Sequence, residues 1–272
     1  MVIIGAQGNL IDSSDFSAFE LDIHPNLVQE IPALKSDASQ NRTTSEDLGE
    51  NGSGEGASFS PGDVSRRIFG PDAQGVESCQ KNDAESIQRQ RQTIGLSGLL
   101  NPIPTLGNFD AKGTEHTVRF RGSFVEKHQH SDGWTAYLDH RGLLGIRRAL
   151  PTEYLKRLDD HNEYFGDQIR IIGLTRSNRF VSIQPTLRGG EPSENEIRDL
   201  LQESGWQRVP MNLQNLPAQL MGTAWWHESE ERILVDARKP NFKKTPFGIL
   251  PIDLVISELP QALLVKLRER LI

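Results

Sequence analysis

The sequence predicts an α+β domain of two lobes behind a disordered N-terminal arm, and three observations carry that reading. Ser, Gly, Asn, Asp and Glu dominate residues 36–65, SDASQNRTTSEDLGENGSGEGASFSPGDVS. So few apolar groups cannot offset the entropy of ordering such a stretch. All four tryptophans and all three tyrosines fall after Leu106. From there, short β-type runs and helical patterns follow one another as strands, helix, strands, helix, strands, helix. The chain therefore divides into residues 1–95, largely disordered or linker, and a folded domain over residues 106–272.

Thr117–Lys127 (TVRFRGSFVEK) and Gly133–Leu138 read as strands around turns. A helix follows from Pro151, well placed in a first turn, to Phe165, with Tyr154, Leu155, Leu158 and Phe165 as its apolar positions. Gln168–Leu174 and Arg179–Gln184 are strands joined by the turn Arg176-Ser177-Asn178. Ser193 and Glu196 have the S-x-x-E spacing of a capping box and start a helix running from Glu194 to about Glu203. Thr223–Trp226, Arg232–Val235 and Gly248–Ile252 are short strands, and Leu259–Leu271 is an amphipathic closing helix. Trp225 and Trp226 point to opposite faces of their strand, one into a core and the other over a groove. Ahead of the domain, residues 76–92 (VESCQKNDAESIQRQRQ) fit a polar helix without a wide apolar face.

Composition narrows the function. With 36% apolar residues in 272, one core is supported in part of the chain. No apolar run approaches the roughly 18 residues of a membrane span, and the start does not read as a secretory signal, so a soluble, cytoplasmic protein with no membrane partner is expected. A single cysteine, Cys79, excludes an internal disulfide framework and thiolate-rich metal sites. The net charge of −7 is concentrated in the first 90 residues, and no basic stripe with interleaved aromatics marks a nucleic-acid binder.

The most informative stretch is Ile233-Leu-Val-Asp236-Ala-Arg-Lys-Pro-Asn241-Phe, followed after a turn by Gly248-Ile-Leu-Pro-Ile-Asp253. It sets an Asp and an Asn at D-x-x-x-x-N spacing after an apolar strand, and a second Asp at the end of the next strand. Phosphoryl transfer from ATP uses such a set, because its catalysis is mostly positioning and charge neutralisation. Asp236 would accept the hydroxyl proton while Asn241 and Asp253 hold Mg²⁺, an ion that prefers oxygen ligands.

Asp236-Ala-Arg-Lys-Pro-Asn241 resembles the D-L-K-P-x-N catalytic loop of protein kinases, and Asp253 corresponds by position to the Asp that opens their D-F-G motif. More specifically, Leu150 to Leu158, His161 to Asp167, Ile183-Gln-Pro and Pro251-Ile-Asp253-Leu are similar to the kinase-like domain of polyvalent proteins of phages and mobile elements, over about Gly107 to Ile272. The resemblance implies a reduced two-lobed protein-kinase-like fold and a Mg-dependent, ATP-dependent protein kinase. Its partners would be a nucleotide and a protein substrate. Lys127 would orient phosphate after a nucleotide loop containing Gly113, and Gln184-Pro185-Thr186 would supply hinge contacts. Glu153, Asp159 and Glu163 lie on the helix that would offer Lys127 a carboxylate, with Glu153 favoured from its Thr-Glu-Tyr-Leu setting.

The chain departs from the kinase pattern in four places. Val235 stands where many kinases have Arg, Leu254-Val255 replaces Phe-Gly, G-x-G-x-x-G is missing, and nineteen residues follow Asp253. These departures keep a second reading open, a pseudokinase-like binding module without catalysis. A small-molecule phosphotransferase of the aminoglycoside-kinase kind would need an acceptor pocket that so short a C-terminal lobe hardly provides. His128 and His130 could begin a metal site but lack further ligands at definite spacing, and a solvated hairpin suits them better.

Overall fold

The computed structural model describes residues 58–71, 84–104 and 109–269, with the backbone of two short paired strands, Ile3–Ile4 and Leu10–Ile11. Most of the expected linker, Cys79 and Gly107 lie outside the described residues. The fold is mixed α+β, with antiparallel sheets and five α-helices among the described residues. None of these helices is long and apolar enough to cross a membrane.

The first sheet joins β1 (Ala111–Lys112), β2 (His116–Arg121), β3 (Phe124–Gln129), β6 (Arg170–Leu174) and β7 (Phe180–Pro185) in the order β1-β2-β3-β7-β6. A two-residue turn at Gly122-Ser123 closes the β2–β3 hairpin, and Gly122 takes φ 69°, a conformation that suits a residue without Cβ. Between these strands the chain makes a separate hairpin, β4 (Trp134–Leu138) with β5 (Leu144–Arg148), and then α3 (Pro151–Phe165). Pro151 opens α3, the Glu153 carboxylate accepts from the Leu150 N–H at 2.8 Å, and Gly166 ends the helix at φ 69°.

The second sheet has the order β8-β9-β10-β13, from Trp206–Arg208, Trp225–His227, Arg232–Val235 and Val255–Glu258. Both of its faces are covered, which corrects the expectation for the tryptophan pair. Trp225, Leu234 and Ile256 pack against Ile197 and Leu201 of α4 (Glu194–Glu203). Trp226, Ile233 and Val255 pack against Leu263, Leu264 and Leu267 of α5 (Gln261–Arg268) and against Leu144 of β5. Each tryptophan is therefore 2% exposed. Ser193 caps α4 as its spacing predicts, with the Glu196 N–H donating to Ser193 Oγ at 3.2 Å and the Ser193 N–H to Glu196 Oε2 at 2.8 Å. Between β10 and β13 lies the hairpin of β11 (Phe242–Thr245) and β12 (Gly248–Pro251).

The packed structure begins well before Leu106. Helix α1 (Pro61–Phe69) and helix α2 (Ala84–Leu96) lie on α3, and Val64 and Ile94 are fully buried with Tyr154, Leu155 and Phe180. Phe59 bridges to Ile171 and Pro102 to Leu174. Helix α2 overlaps the expected polar helix of residues 76–92, runs four residues beyond it, and buries only Ile87 and Ile94. So narrow a stripe suffices because α3 and the first sheet already offer an apolar surface to receive it.

Candidate functional site

Strand alternation builds the first wall of the site. On β3, Val125, Lys127 and Gln129 share one face, while Glu126 and His128 share the other. Lys127 pairs across to Val118 on β2 and to Ser182 on β7, and Val125 pairs to Gln184. His116, Lys127, Ser182 and Gln184 consequently look into one cleft. The reverse face carries a charged cluster in which Glu126 meets Arg119 and His128, so His128 serves packing there. His130 faces the Gly113 carbonyl at 3.0 Å.

Helix α3 forms the second wall with Tyr154, Arg157, Leu158 and His161, spaced i, i+3, i+4 and i+7 along one face. Arg157 grips Glu115 with two parallel contacts of 2.9 and 2.5 Å, and Glu115 also accepts the Trp134 N–H at 3.0 Å. Burial alone would disfavour the Arg157 charge, but Glu115 outweighs it and raises the arginine's pKa. Burial pushes the Tyr154 phenol up, so it stays protonated and can donate to His116 Nε2, 2.7 Å away. His161 faces the Asp167 carboxylate and the Leu254 carbonyl, each at 2.8 Å, and only a doubly protonated ring donates to both.

Ile252 and Asp253 close the cleft, whose water-accessible space is about 10 Å³, room for roughly one water. Asp253 keeps an exposed surface at the cleft mouth, although protein surrounds its carboxylate elsewhere. The exposure decides what can reach this group, and the surroundings decide its charge. Burial would raise its pKa, but Lys127, His116, Arg157 and His161 together hold it down to about 2. No side chain or N–H among the described residues hydrogen-bonds this carboxylate, so an ionised oxygen ligand is available.

The loop after β10 reaches the same place at one remove. Asp236 adopts φ 69° and its N–H donates to Thr223 Oγ1 at 3.2 Å, while Arg238 Nε donates to Asp236 Oδ1. Asn241 Nδ2 donates to the Asp236 carbonyl at 2.8 Å, and the Asn241 carbonyl accepts the Ile252 N–H at 2.9 Å. Lys127 Nζ then donates to the Ile252 carbonyl at 3.3 Å. A continuous chain of hydrogen bonds thus runs from the loop to the lysine, although Asp236 and Asn241 do not line the cleft.

The remaining expected residues divide. Gln184 lines the cleft, and its buried Oε1 has no hydrogen-bond partner. Gly113 lies outside the cleft in a tight turn, its N–H donating to the His116 carbonyl at 2.8 Å, and that turn directs Glu115 and His116 inward. Glu153 is also outside, because Arg147 takes both its oxygens at 2.9 and 2.6 Å and the Leu150 N–H shares one. The sequence reading did not single out His116, Glu115, Arg157 or His161 as site residues. The signal for Arg157 and His161 was the polar i, i+4 pair that they form inside the stripe of α3.

Glu115, His116 and Asp253 place one ligand atom each within 4.8 Å of one another, which makes them a candidate cation cage. Glu115 fits that role poorly, since Arg157 and Trp134 already occupy its oxygens. Asp253 fits it well. Asn241 engages its donor nitrogen with the Asp236 carbonyl and does not line the cleft with Asp253.

The site also sets a pH dependence. Burial holds His116 down to about 4 from its ordinary 6.5. Between those values the unfolded chain binds more protons, so stability falls as pH drops through that window. Asp253 acts lower, its contribution present above 3.8 and lost as pH falls toward 2. Urea midpoints are expected to decline from pH 6.5 to about 4, and His116→Phe should flatten that decline; an unaltered slope in the variant would overturn the assignment.

No family model, curated protein or solved structure matches this chain.

Proposed function

We propose that the cleft, opening beyond the space for about one water that it holds here, binds ATP with Mg²⁺ and transfers its terminal phosphoryl group to a hydroxyl of a protein substrate, on a reduced two-lobed protein-kinase-like fold. The carrying observation is that Lys127, on the third strand of the first sheet, and Asp253, after the β11–β12 hairpin, meet in one cleft. A strand lysine on the phosphates and an Asp with an Asn on the metal are the parts that this chemistry uses in kinases.

Each group has one task. Lys127 keeps N–H donors beyond the one given to Ile252 and turns them to the phosphates. Arg157 adds fixed positive charge behind Asp253, with the His161 ring beside it. Asp253, with Asn241 Oδ1, would hold Mg²⁺, and the ion would supply neutralisation of charge on the phosphate oxygens. Gln184 Oε1, buried without a partner, accepts a hydrogen bond from the nucleotide. Asp236 takes the proton of the acceptor hydroxyl, and Arg238 holds its carboxylate in place.

The test is a melt of the full chain with ATP and Mg²⁺. At a hundredfold excess over Kd, a rise on the order of 5 °C is expected. A melt unmoved by millimolar ligand would sink the reading.

One observation favours a second reading, a nucleotide-binding module without turnover. Lys127 has no helix carboxylate as a hydrogen-bond partner among the described residues, since Glu153 is held by Arg147 and Glu115 by Arg157. Binding without ATP hydrolysis or transfer would select it.

A further inference from the structure

Away from the cleft, three arginines from three segments converge on Asp132, two on its carboxylate and one on its backbone carbonyl. Arg91 of α2 and Arg179 at the start of β7 both approach Asp132, the latter with Nε 4.0 Å from Oδ1. Arg148, at the end of β5, donates from Nη1 to the Asp132 carbonyl at 3.0 Å and lies 4.1 Å from the centroid of the Trp134 ring. Arg91 and Arg179 keep only 13% and 21% of their side-chain surface, whereas Arg148 is exposed.

One carboxylate leaves this group with an excess of positive charge. Burial lowers the pKa of Arg91, and neighbouring Arg179 lowers it further. Burial likewise lowers Arg179, with Arg148 adding to the effect. Arg179 Nε is buried and lacks a hydrogen-bond partner among the described residues, although Nη1 reaches Ser177 Oγ at 2.9 Å. Like charges gathered at low exposure destabilise the fold unless an anion joins them. Guanidinium forks match the geometry of a tetrahedral oxyanion, and the exposed Arg148 marks the side from which one enters.

We propose that Arg91, Arg148 and Arg179 form a binding site for a phosphate dianion, outside the cleft and beside the start of α3. The dianion bridges the three guanidiniums and offsets the charge that Asp132 leaves uncompensated. It ties α2, the β5–α3 junction and β7 together. The chemistry is that of a phosphomonoester head, supplied by free phosphate or by a phosphorylated side chain. The proposal does not depend on phosphotransfer in the cleft.

The test is thermal melting of the full chain titrated with inorganic phosphate, with sodium chloride at matched ionic strength as the reference. A saturable rise above the chloride reference is expected. The exposed substitution Arg148→Gln should leave the phosphate-free melt unchanged and weaken phosphate binding about tenfold. Arg91→Gln with Arg179→Gln should abolish the response, while Arg148→Gln, which leaves both ion pairs of Asp132 in place, serves as the variant with an unaltered fold. Lys127→Met should leave the response intact, which separates this site from the cleft. An equal rise in chloride, a response that survives the double variant, or one lost with Lys127→Met would overturn the proposal. A phosphoserine blocked at both termini, titrated in parallel, assigns the source. Binding about tenfold tighter than phosphate marks a site for phosphorylated side chains, and equal binding marks a free-anion site; either result upholds the site.

Discussion

Asp253→Asn is expected to reduce Mg²⁺-dependent ATP turnover by about a hundredfold or more, the scale reached when even outer-shell support of a metal is lost. The amide keeps the shape of the side chain and removes the charge. That charge is unusual in its setting, because it lies among Lys127, His116, Arg157 and His161 and accepts no hydrogen bond among the described residues. A purely structural carboxylate would be expected to sit in an ion pair, as Glu115 does. The variant should still fold, with a lower melting temperature at neutral pH, since the cations around position 253 lose their counter-charge. Turnover equal to that of the unaltered protein would end the phosphotransfer reading. Turnover lost together with nucleotide binding in Lys127→Met, but lost alone in Asp253→Asn, would assign the lysine to binding and the aspartate to the metal.

The parts of this site that could be read from sequence are those that local rules fix. Strand alternation puts Lys127 on the face of Val125, and the β11–β12 hairpin sets Asn241 beside Ile252 and bonds it to the Asp236 carbonyl, although of the three expected residues only Asp253 lines the cleft. The two longest helices of the 106–272 stretch were equally legible, α3 from Pro151 in its first turn and α4 from its capping box. What escaped depends on partners far along the chain. Arg157 and His161 look like solvated helix positions until Glu115, 42 residues away, and the Leu254 carbonyl, 93 residues away, are placed against them. Glu153 escaped for the opposite reason. Its Thr-Glu-Tyr-Leu setting recommended it for Lys127, but its place in the first turn of α3 lets it cap Leu150 and bind Arg147. Strand β8 holds three residues and makes sense only as an edge to β9. Helices α1 and α2 have too little apolar surface to be recognised alone, and α3 supplies the rest.

Glu115→Ala is expected to have the largest effect on stability, about 3–5 kcal/mol in urea unfolding, the range for removing one partner of a buried ion pair. Glu115 and Arg157 keep 8% and 4% of their side-chain surface, and their paired contacts join the β1–β2 turn to α3. Without Glu115, Arg157 would have only the Asp253 charge to draw on, and Trp134 would lose the acceptor of its N–H. Arg157→Met should cost a similar amount, because it leaves the Glu115 carboxylate buried. The double variant Glu115→Leu with Arg157→Met removes both charges and fills the space with apolar atoms. It should recover much of the loss, since replacing a buried pair by apolar groups of similar volume is often neutral. Additive losses in the double variant would show that the two residues act independently. Recovery of stability without recovery of nucleotide binding would identify the pair as the brace that holds α3 against the first sheet, and thereby holds Tyr154 and His161 at the cleft.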